Sequence, residues 1–271
     1  MSRIIAIANQ KGGVGKTTTA INLGAGLAVA EQRTLVVDMD PQGNATSGLG
    51  IDRQSVDASV YDVLVEGTPL MDIVRREVHF PTLDVVPSSQ DLVGAEVELV
   101  DRPSRELILR RALTPHREEY DYILVDCPPS LGLLTLNTLA AADAVLIPIQ
   151  CEFYALEGLS QLLNTVRLVQ QNLNPRLQIE GVLLTMFDQR LNLSRQVAEE
   201  AKEYFGNRVY ESVIPRNVRL AEAPSFGKPI VLYDVLSAGA QSYLALAREI
   251  IDRDRRAEDS VRGTGPTPAA G

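Results

Sequence analysis

Apolar residues follow two rhythms along this chain. Residues 4–9, 34–38, 83–87, 122–126, 144–150, 179–185 and 209–214 are short runs rich in Val, Ile and Leu. Runs of that length and composition predict strands covered on both faces. Between them, helical spacing appears near residues 18–30, 91–113, 131–141, 155–172, 193–205 and 238–255. Pro103 should interrupt the second of these, because proline lacks the amide that the helix ladder needs. Strands alternating with helices predict an α/β fold: a doubly wound, mostly parallel sheet with helices on both faces and ligands at the carboxyl ends of the strands. One domain over residues 1–255 is expected. Residues 256–271, which end in a Gly/Pro/Thr/Ala run, are expected to form a disordered tail.

Composition narrows the choice. With 271 residues and 45% hydrophobic content, the chain can build a large core unaided. Two cysteines make neither a disulfide framework nor a cluster motif. The first residues run directly into a strand pattern, so no signal peptide is expected, and no stretch predicts a transmembrane helix. A soluble, cytoplasmic protein follows. The net charge of −9 argues mildly against nucleic acid.

The sharpest chemical signal is Lys11-Gly12-Gly13-Val14-Gly15-Lys16-Thr17, between the first strand and the first helix. Glycines let the backbone wrap phosphate oxygens and aim N–H groups at them, and the helix N-terminus adds positive potential. Lys16 is placed for the β and γ phosphates, and the Thr17 hydroxyl for Mg²⁺. The usual G-x-x-x-x-G-K-[ST] pattern has Gln10 at its first position here and gains an extra lysine, Lys11. Lys11 is badly placed to serve the same nucleotide, but it could reach one held by a facing subunit. Acidic residues end two strands: Asp38 and Asp40 after the second, Asp126 after a later one. Asp126 is the expected metal residue, acting through water, Asp40 could orient an attacking water, and Asp38 could support Lys16 or the metal.

These residues carry a family resemblance. The loop KGGVGKT, with VDMDPQGNATSGLG, LVDCPPSLGLLTLN, CEFYALEGLSQLLNTV and VIPRNVRLAEAPSFGKPI, resembles the ParA/Soj chromosome- and plasmid-partitioning ATPases, P-loop NTPases of the deviant Walker A type. The match covers residues 4–253. It implies an Mg²⁺-dependent ATP hydrolase that forms an ATP-sandwich homodimer, with Lys11 reaching the partner's phosphates and Gly12 close to the dimer contact. The resemblance also implies that Asp40 is needed for hydrolysis. Gly13, Val14, Gly15, Lys16, Thr17 and Thr18 would line the nucleotide, with Pro215 and Asn217 around its adenine. It implies non-specific binding of double-stranded DNA on the nucleoid, and a ParB/Spo0J-type centromere-binding partner that stimulates hydrolysis.

Local charge bears on the DNA expectation. Residues 186–228 hold seven basic and six acidic residues, a balance of +1 in an acidic chain. Arg190 and Arg219 match family positions implicated in DNA contact, with Arg195 and Arg216 as weaker candidates. No base-reading helix is evident, which favours sequence-independent contact. A MinD-like membrane-cycling ATPase would share the loop, but the terminal helix lacks large apolar residues for insertion. A metabolic or iron–sulfur relative is a third reading; Cys127 and Cys151 are expected to be small core residues instead. Tyr154, Leu156, Leu159, Leu162, Leu163 and Val166 form a helical apolar stripe expected in the core, or partly at a dimer interface. His79 and His116 have no metal spacing and are expected to be exposed.

Overall fold

The computed structural model describes residues 2–152 and 157–263, the side chains of 157–158 and 260–263 excepted. Its strands are β1 (Arg3–Ile7), β2 (Thr34–Asp38), β3 (Leu83–Val86), β4 (Tyr122–Asp126), β5 (Ala144–Gln150) and β6 (Gln178–Thr185). They form a six-stranded sheet in the order β3-β2-β4-β1-β5-β6, with every pairing parallel. The α-helices are α1 (Lys16–Val29), α2 (Asn44–Gly48), α3 (Leu70–Ile73), α4 (Leu92–Glu98), α5 (Ile108–Leu113) and α6 (Leu133–Ala141). They continue as α7 (Glu157–Asn172), α8 (Asn192–Phe205), α9 (Val218–Glu222), α10 (Ile230–Tyr233) and α11 (Ala238–Gly263).

Alternation along each strand divides the interior. Ile4, Ala6, Leu35, Val37, Ile123 and Val125 enter one apolar cluster, with α4 to α8 over it. Ile5, Ile7, Val36 and Leu124 face the other, covered by α1 and α11. Successive strand side chains point to opposite faces, so a continuous apolar run serves both cores at once. Burying each such side chain stabilises the fold by roughly 1.5–3 kcal/mol.

Two local expectations change, at residues 209–214 and at the end of the last helix, while the break at Pro103 falls as expected. Residues 209–214 do not form a strand; they touch β6 through one isolated bridge, Val182 to Val209, and through the N–H groups of Tyr210 and Ile214, which donate to the carbonyls of Val182 and Leu184. The 91–113 segment breaks around Pro103 into α4, a 3₁₀ turn at Arg105–Leu107, and α5. The last helix continues past Arg255 to Gly263, because residues 256–262 contain no glycine or proline to stop it. The tail expected to begin at residue 256 is therefore helical to residue 263, and residues 264–271 lie outside the described residues. In the α7 stripe Leu159, Leu162, Leu163 and Val166 are buried, while Tyr154 and Leu156 lie outside the described residues.

At the amino ends of the strands the buried charges are paired. Arg3 on β1 bonds both Glu180 on β6 and Asp254 on α11. The Tyr122 hydroxyl donates to Asp254 at 2.7 Å, and the Tyr210 hydroxyl to Glu180 at 3.1 Å. The Arg253 guanidinium lies 4.3 Å from the Tyr210 ring centroid and bonds Glu249 at 2.6 Å. Burial acts to lower the Arg3 pKa, yet Glu180 and Asp254 more than offset it, so it is raised. This cluster ties the first strand, the edge strand and the last helix together.

Candidate functional site

Parallel strands bring every carboxyl end to one edge of the sheet. Register places Asp126 beside Ile7 on one side and beside Asp38 on the other. The loop that follows β1 therefore rises directly over two acidic strand ends. Gly13 and Gly15 take φ of +73° and +91°, a left-handed backbone that side-chain-bearing residues rarely adopt. That conformation turns the chain into α1, whose N-terminus opens at Gly15. Val14 is buried, and the Thr185 hydroxyl donates to its carbonyl at 2.8 Å, fastening the loop to β6.

Two lysines of the loop live in different surroundings. Lys16 is buried, and its Nζ donates to the Lys11 carbonyl at 3.2 Å. Burial lowers its pKa, with Asp126 and Asp40 pulling the other way. Lys11 is half-buried, and its ammonium makes no ion pair among the described residues. Its backbone N–H donates to Asn9 Oδ1 at 3.0 Å, which fixes the loop and leaves the side chain free to turn outward. Beside it Gly12 is exposed, and a Cβ built there would meet no atom within 4 Å.

The acidic strand ends also differ. Asp126 is fully buried, and neither of its oxygens has a hydrogen-bond partner among the described residues. Burial pushes its pKa well up, Asp38 adds to the rise, and the nearby Thr17 and Lys16 oppose it. A buried carboxylate left without partners costs several kcal/mol unless something compensates it. Asp38 is equally buried but saturated. Its Oδ2 accepts from the Thr46 N–H at 2.8 Å and hydroxyl at 2.7 Å, and its Oδ1 from the Asp40 N–H at 3.2 Å. Burial raises the Asp38 pKa while those donors restrain it. Asp38 thus anchors α2.

Asp40 begins the loop into α2. It is nearly buried, its Oδ1 accepts from the Gln42 N–H at 2.9 Å, and its carbonyl accepts from Ser88 Oγ at 2.8 Å. Ser88 N–H in turn donates to Thr46 Oγ1 at 2.9 Å. Asp38, Asp40, Thr46 and Ser88 form one hydrogen-bonded unit beside the phosphate loop. Ser88 and Thr46 were not singled out in the sequence, although Thr46 lies within VDMDPQGNATSGLG, since a hydroxyl residue by itself carries no distinct signal.

A cavity of about 370 Å³ opens at the start of α1. Gly15, Thr18, Thr185, Pro215, Asn217 and Tyr243 are among its walls, and its lining is mostly apolar. Asn217 Oδ1 caps α9 by accepting from the N–H groups of Arg219 (2.9 Å) and Leu220 (3.4 Å). Pro215 and Asn217, some two hundred residues from the loop in sequence, are thus brought beside Gly15 and Thr18. The set could hold a flat ring in the cavity, a polyphosphate along the loop, and a hydrated divalent cation between Thr17 and Asp126.

The basic residues gather less completely. Arg190 and Arg216 share a hollow of about 590 Å³ with Phe187 and Val218. Arg190 is held by Asp188 at 2.7 Å, which pulls the Asp188 pKa down to about 2, and Arg216 by Glu152 at 2.6 Å. Arg219 on α9 pairs instead with Glu222 at 2.9 Å and Asp234 at 3.6 Å, and Arg195 with Asn192. Cys127 and Cys151 are buried, and burial pushes the Cys127 thiol up to about 12. No helix among the described residues is long and apolar enough to cross a membrane.

Known proteins agree with this architecture. A family model described as an AAA domain matches residues 2–179. The chromosome partitioning protein ParA of Myxococcus xanthus is 62% identical over 94% of this chain and 89% of that protein. The sporulation initiation inhibitor protein Soj of Bacillus subtilis is 62% identical over 92% of this chain and 98% of that protein. Among solved structures, cobyrinic acid a,c-diamide synthase of Mycobacterium smegmatis with bound ADP and magnesium superposes with a TM-score of 0.82. It is 38% identical and covers 94% of this chain and 96% of its own. An all-parallel sheet, a two-lysine phosphate loop and this identity over nearly the whole length lead to one assignment: the chain belongs to the ParA/Soj family of chromosome-partitioning P-loop ATPases.

Proposed function

We propose that this chain is an ATP-driven switch that partitions DNA. It binds ATP with Mg²⁺, closes into a homodimer around two nucleotides, and in that form retains double-stranded DNA without sequence preference. A ParB/Spo0J-type centromere-binding protein then stimulates hydrolysis and resets it. The names of the most similar relatives support chromosome partitioning as the setting, and the ADP and magnesium of the M. smegmatis structure support the cofactors. Such a protein works in the cytoplasm, on the nucleoid.

The observation that carries this reading is the Asp126 carboxylate, buried near Lys16 and Thr17 and without a hydrogen-bond partner among the described residues. Its burial makes sense when a cation completes it. Thr17 Oγ would be a direct Mg²⁺ ligand, and Asp126 would hold the ion's water shell. The ion, when bound, neutralises charge building on the β and γ phosphates. Lys16 is already desolvated, so its ammonium interacts strongly with the same oxygens. The N–H groups of Gly12, Gly13, Val14, Gly15 and Lys16 curve toward the phosphates, and Thr18, Pro215 and Asn217 surround the base. Asp40, fixed by Ser88 and Gln42, orients the attacking water. Lys11, with no internal ion pair among the described residues, serves the nucleotide of a second copy. Its charge falls on the transferring phosphoryl group, as an arginine finger would place it. Arg190 and Arg219 contact DNA phosphates after leaving Asp188 and Glu222. This exchange makes retention weak in a monomer and steeply salt-dependent in a dimer.

The test is the size of Asp40→Ala with ATP, with ADP and without nucleotide, each repeated with duplex DNA. A dimer that forms only with ATP, outlives the wild-type dimer and holds DNA supports the reading. A monomer under saturating Mg²⁺ and a non-cleavable triphosphate defeats it, as would wild-type hydrolysis by the variant.

A further inference from the structure

His79 lies in the turn before β3, exposed, with a left-handed backbone at φ +65°. Nothing in its sequence neighbourhood suggested a task. Its ring nevertheless reaches two separate loops. Nε2 lies 2.9 Å from the carbonyl oxygen of Leu49 and 2.9 Å from that of Gly227. An Nε2–H placed there donates to both. Leu49 ends α2, the short helix held to β2 by Asp38 and Thr46 and preceded by Asp40. Gly227 ends the turn that follows α9, the helix bearing Arg219.

The two loops also meet directly. Gly50 and Gly227 both have positive φ, at +81° and +62°. A Cβ on Gly50 would lie 2.8 Å from the Gly227 carbonyl oxygen, and one on Gly227 would lie 2.6 Å from the Gly50 Cα. Backbones this close move as one body, because tight packing transmits displacement instead of absorbing it. The segment from Pro215 to Gly227 thus has one end in the wall of the base cavity and the other packed against the carboxyl end of α2, the helix that follows Asp40.

We propose that His79, with the Gly50–Gly227 contact, is a positioning clamp that transmits the state of the Asp40 loop to α9, so that DNA retention follows the nucleotide. This rests on the reading that Arg219 contacts DNA. The clamp touches neither phosphate nor base, so its loss uncouples two properties and leaves each site intact. It would do so without altering the dimer's own stability, since the ring bonds Leu49 and Gly227, and neither Lys11 nor Gly12 is among its hydrogen-bond partners.

The experiment compares wild type, His79→Ala, His79→Gln and Arg219→Glu as full chains with Mg²⁺ and a slowly hydrolysed ATP analogue. Dimer formation is read by sizing, and affinity for one duplex is read at fixed salt. His79→Ala should dimerise within about twofold of wild type yet bind DNA about tenfold more weakly. His79→Gln, whose amide donates to both carbonyls, should recover most of that loss. Gly227→Ala should match His79→Ala in DNA affinity if its melting shows a folded chain. Wild-type DNA affinity in His79→Ala, or parallel loss of dimer and DNA, overturns the clamp while the DNA reading stands. Arg219→Glu binding DNA as wild type does, or no DNA binding by wild type, overturns the DNA reading and the clamp with it.

Discussion

The two ends of the sheet handle buried charge in opposite ways. At the amino ends, Arg3, Glu180, Asp254, Tyr122 and Tyr210 satisfy one another, and the group joins β1, β4, β6 and α11. At the carboxyl ends, Asp126 is buried with no hydrogen-bond partner among the described residues, Lys16 is desolvated beside a carbonyl, and two glycines hold a left-handed loop. The first arrangement is complete within the chain. The second becomes complete only when something outside the chain arrives. A fold can carry such an unsatisfied edge because the opposite edge, and two apolar cores, hold the sheet together.

Breaking the complete end should have the largest effect on stability. Glu180→Ala leaves the Tyr210 hydroxyl without its acceptor and Arg3 with Asp254 alone. Denaturant unfolding should show a loss of about 2 kcal/mol, less than a fully buried pair would give because Arg3 keeps some solvent. Nucleotide affinity should stay within about twofold. Unchanged unfolding would mean that the amino-end cluster contributes nothing to holding the sheet.

The incomplete end should respond in the opposite sense. Asp126→Asn removes a buried charge, so the ligand-free chain should gain about 1 kcal/mol and melt roughly 2–4 °C higher. The same variant should lose Mg²⁺-dependent protection by ATP. Folded Asp126 holds its proton more tightly than unfolded Asp126 does. Ligand-free stability therefore rises as pH falls from the raised folded-state pKa toward the ordinary carboxylate range, and Asp126→Asn should flatten the share of that slope that Asp126 carries. A variant melting below wild type would show that the carboxylate is compensated within the chain after all.

Gly12→Val should change stability least. A side chain there meets open space, so unfolding should move by less than about 0.5 kcal/mol. Sizing with ATP should nevertheless find a monomer. If the variant dimerised normally, Gly12 would not border the contact, and the assignment of Lys11 to a second copy would lose its support.

How much of this was legible in the chain varies by residue. The loop from Lys11 to Thr17 was, because its chemistry sits in consecutive residues and its context needs only one strand and one helix. Asp38 and Asp126 could be placed at strand ends and Asp126 preferred for the metal, but their different surroundings could not be read. Their difference comes from Thr46, which reaches Asp38 and not Asp126. Residues 209–214 read as a strand because their apolar pattern fits one, yet tertiary packing gave them one isolated bridge and two further backbone hydrogen bonds to β6. His79 was read as an exposed histidine, and it is exposed; its two carbonyl partners lie 30 and 148 residues away.

The sequence by itself determined the alternation of strands and helices, the phosphate loop and the family. These depend on periodicity and short-range chemistry, which a linear reading preserves. Only the tertiary structure decided which strand lies beside which, and hence that Asp126 is orphaned, that Pro215 and Asn217 share a cavity with Gly15, and that Gly50 touches Gly227. Those facts arise from contacts between residues far apart in the chain. The choice among such contacts is made by packing the whole molecule, and no local pattern encodes it.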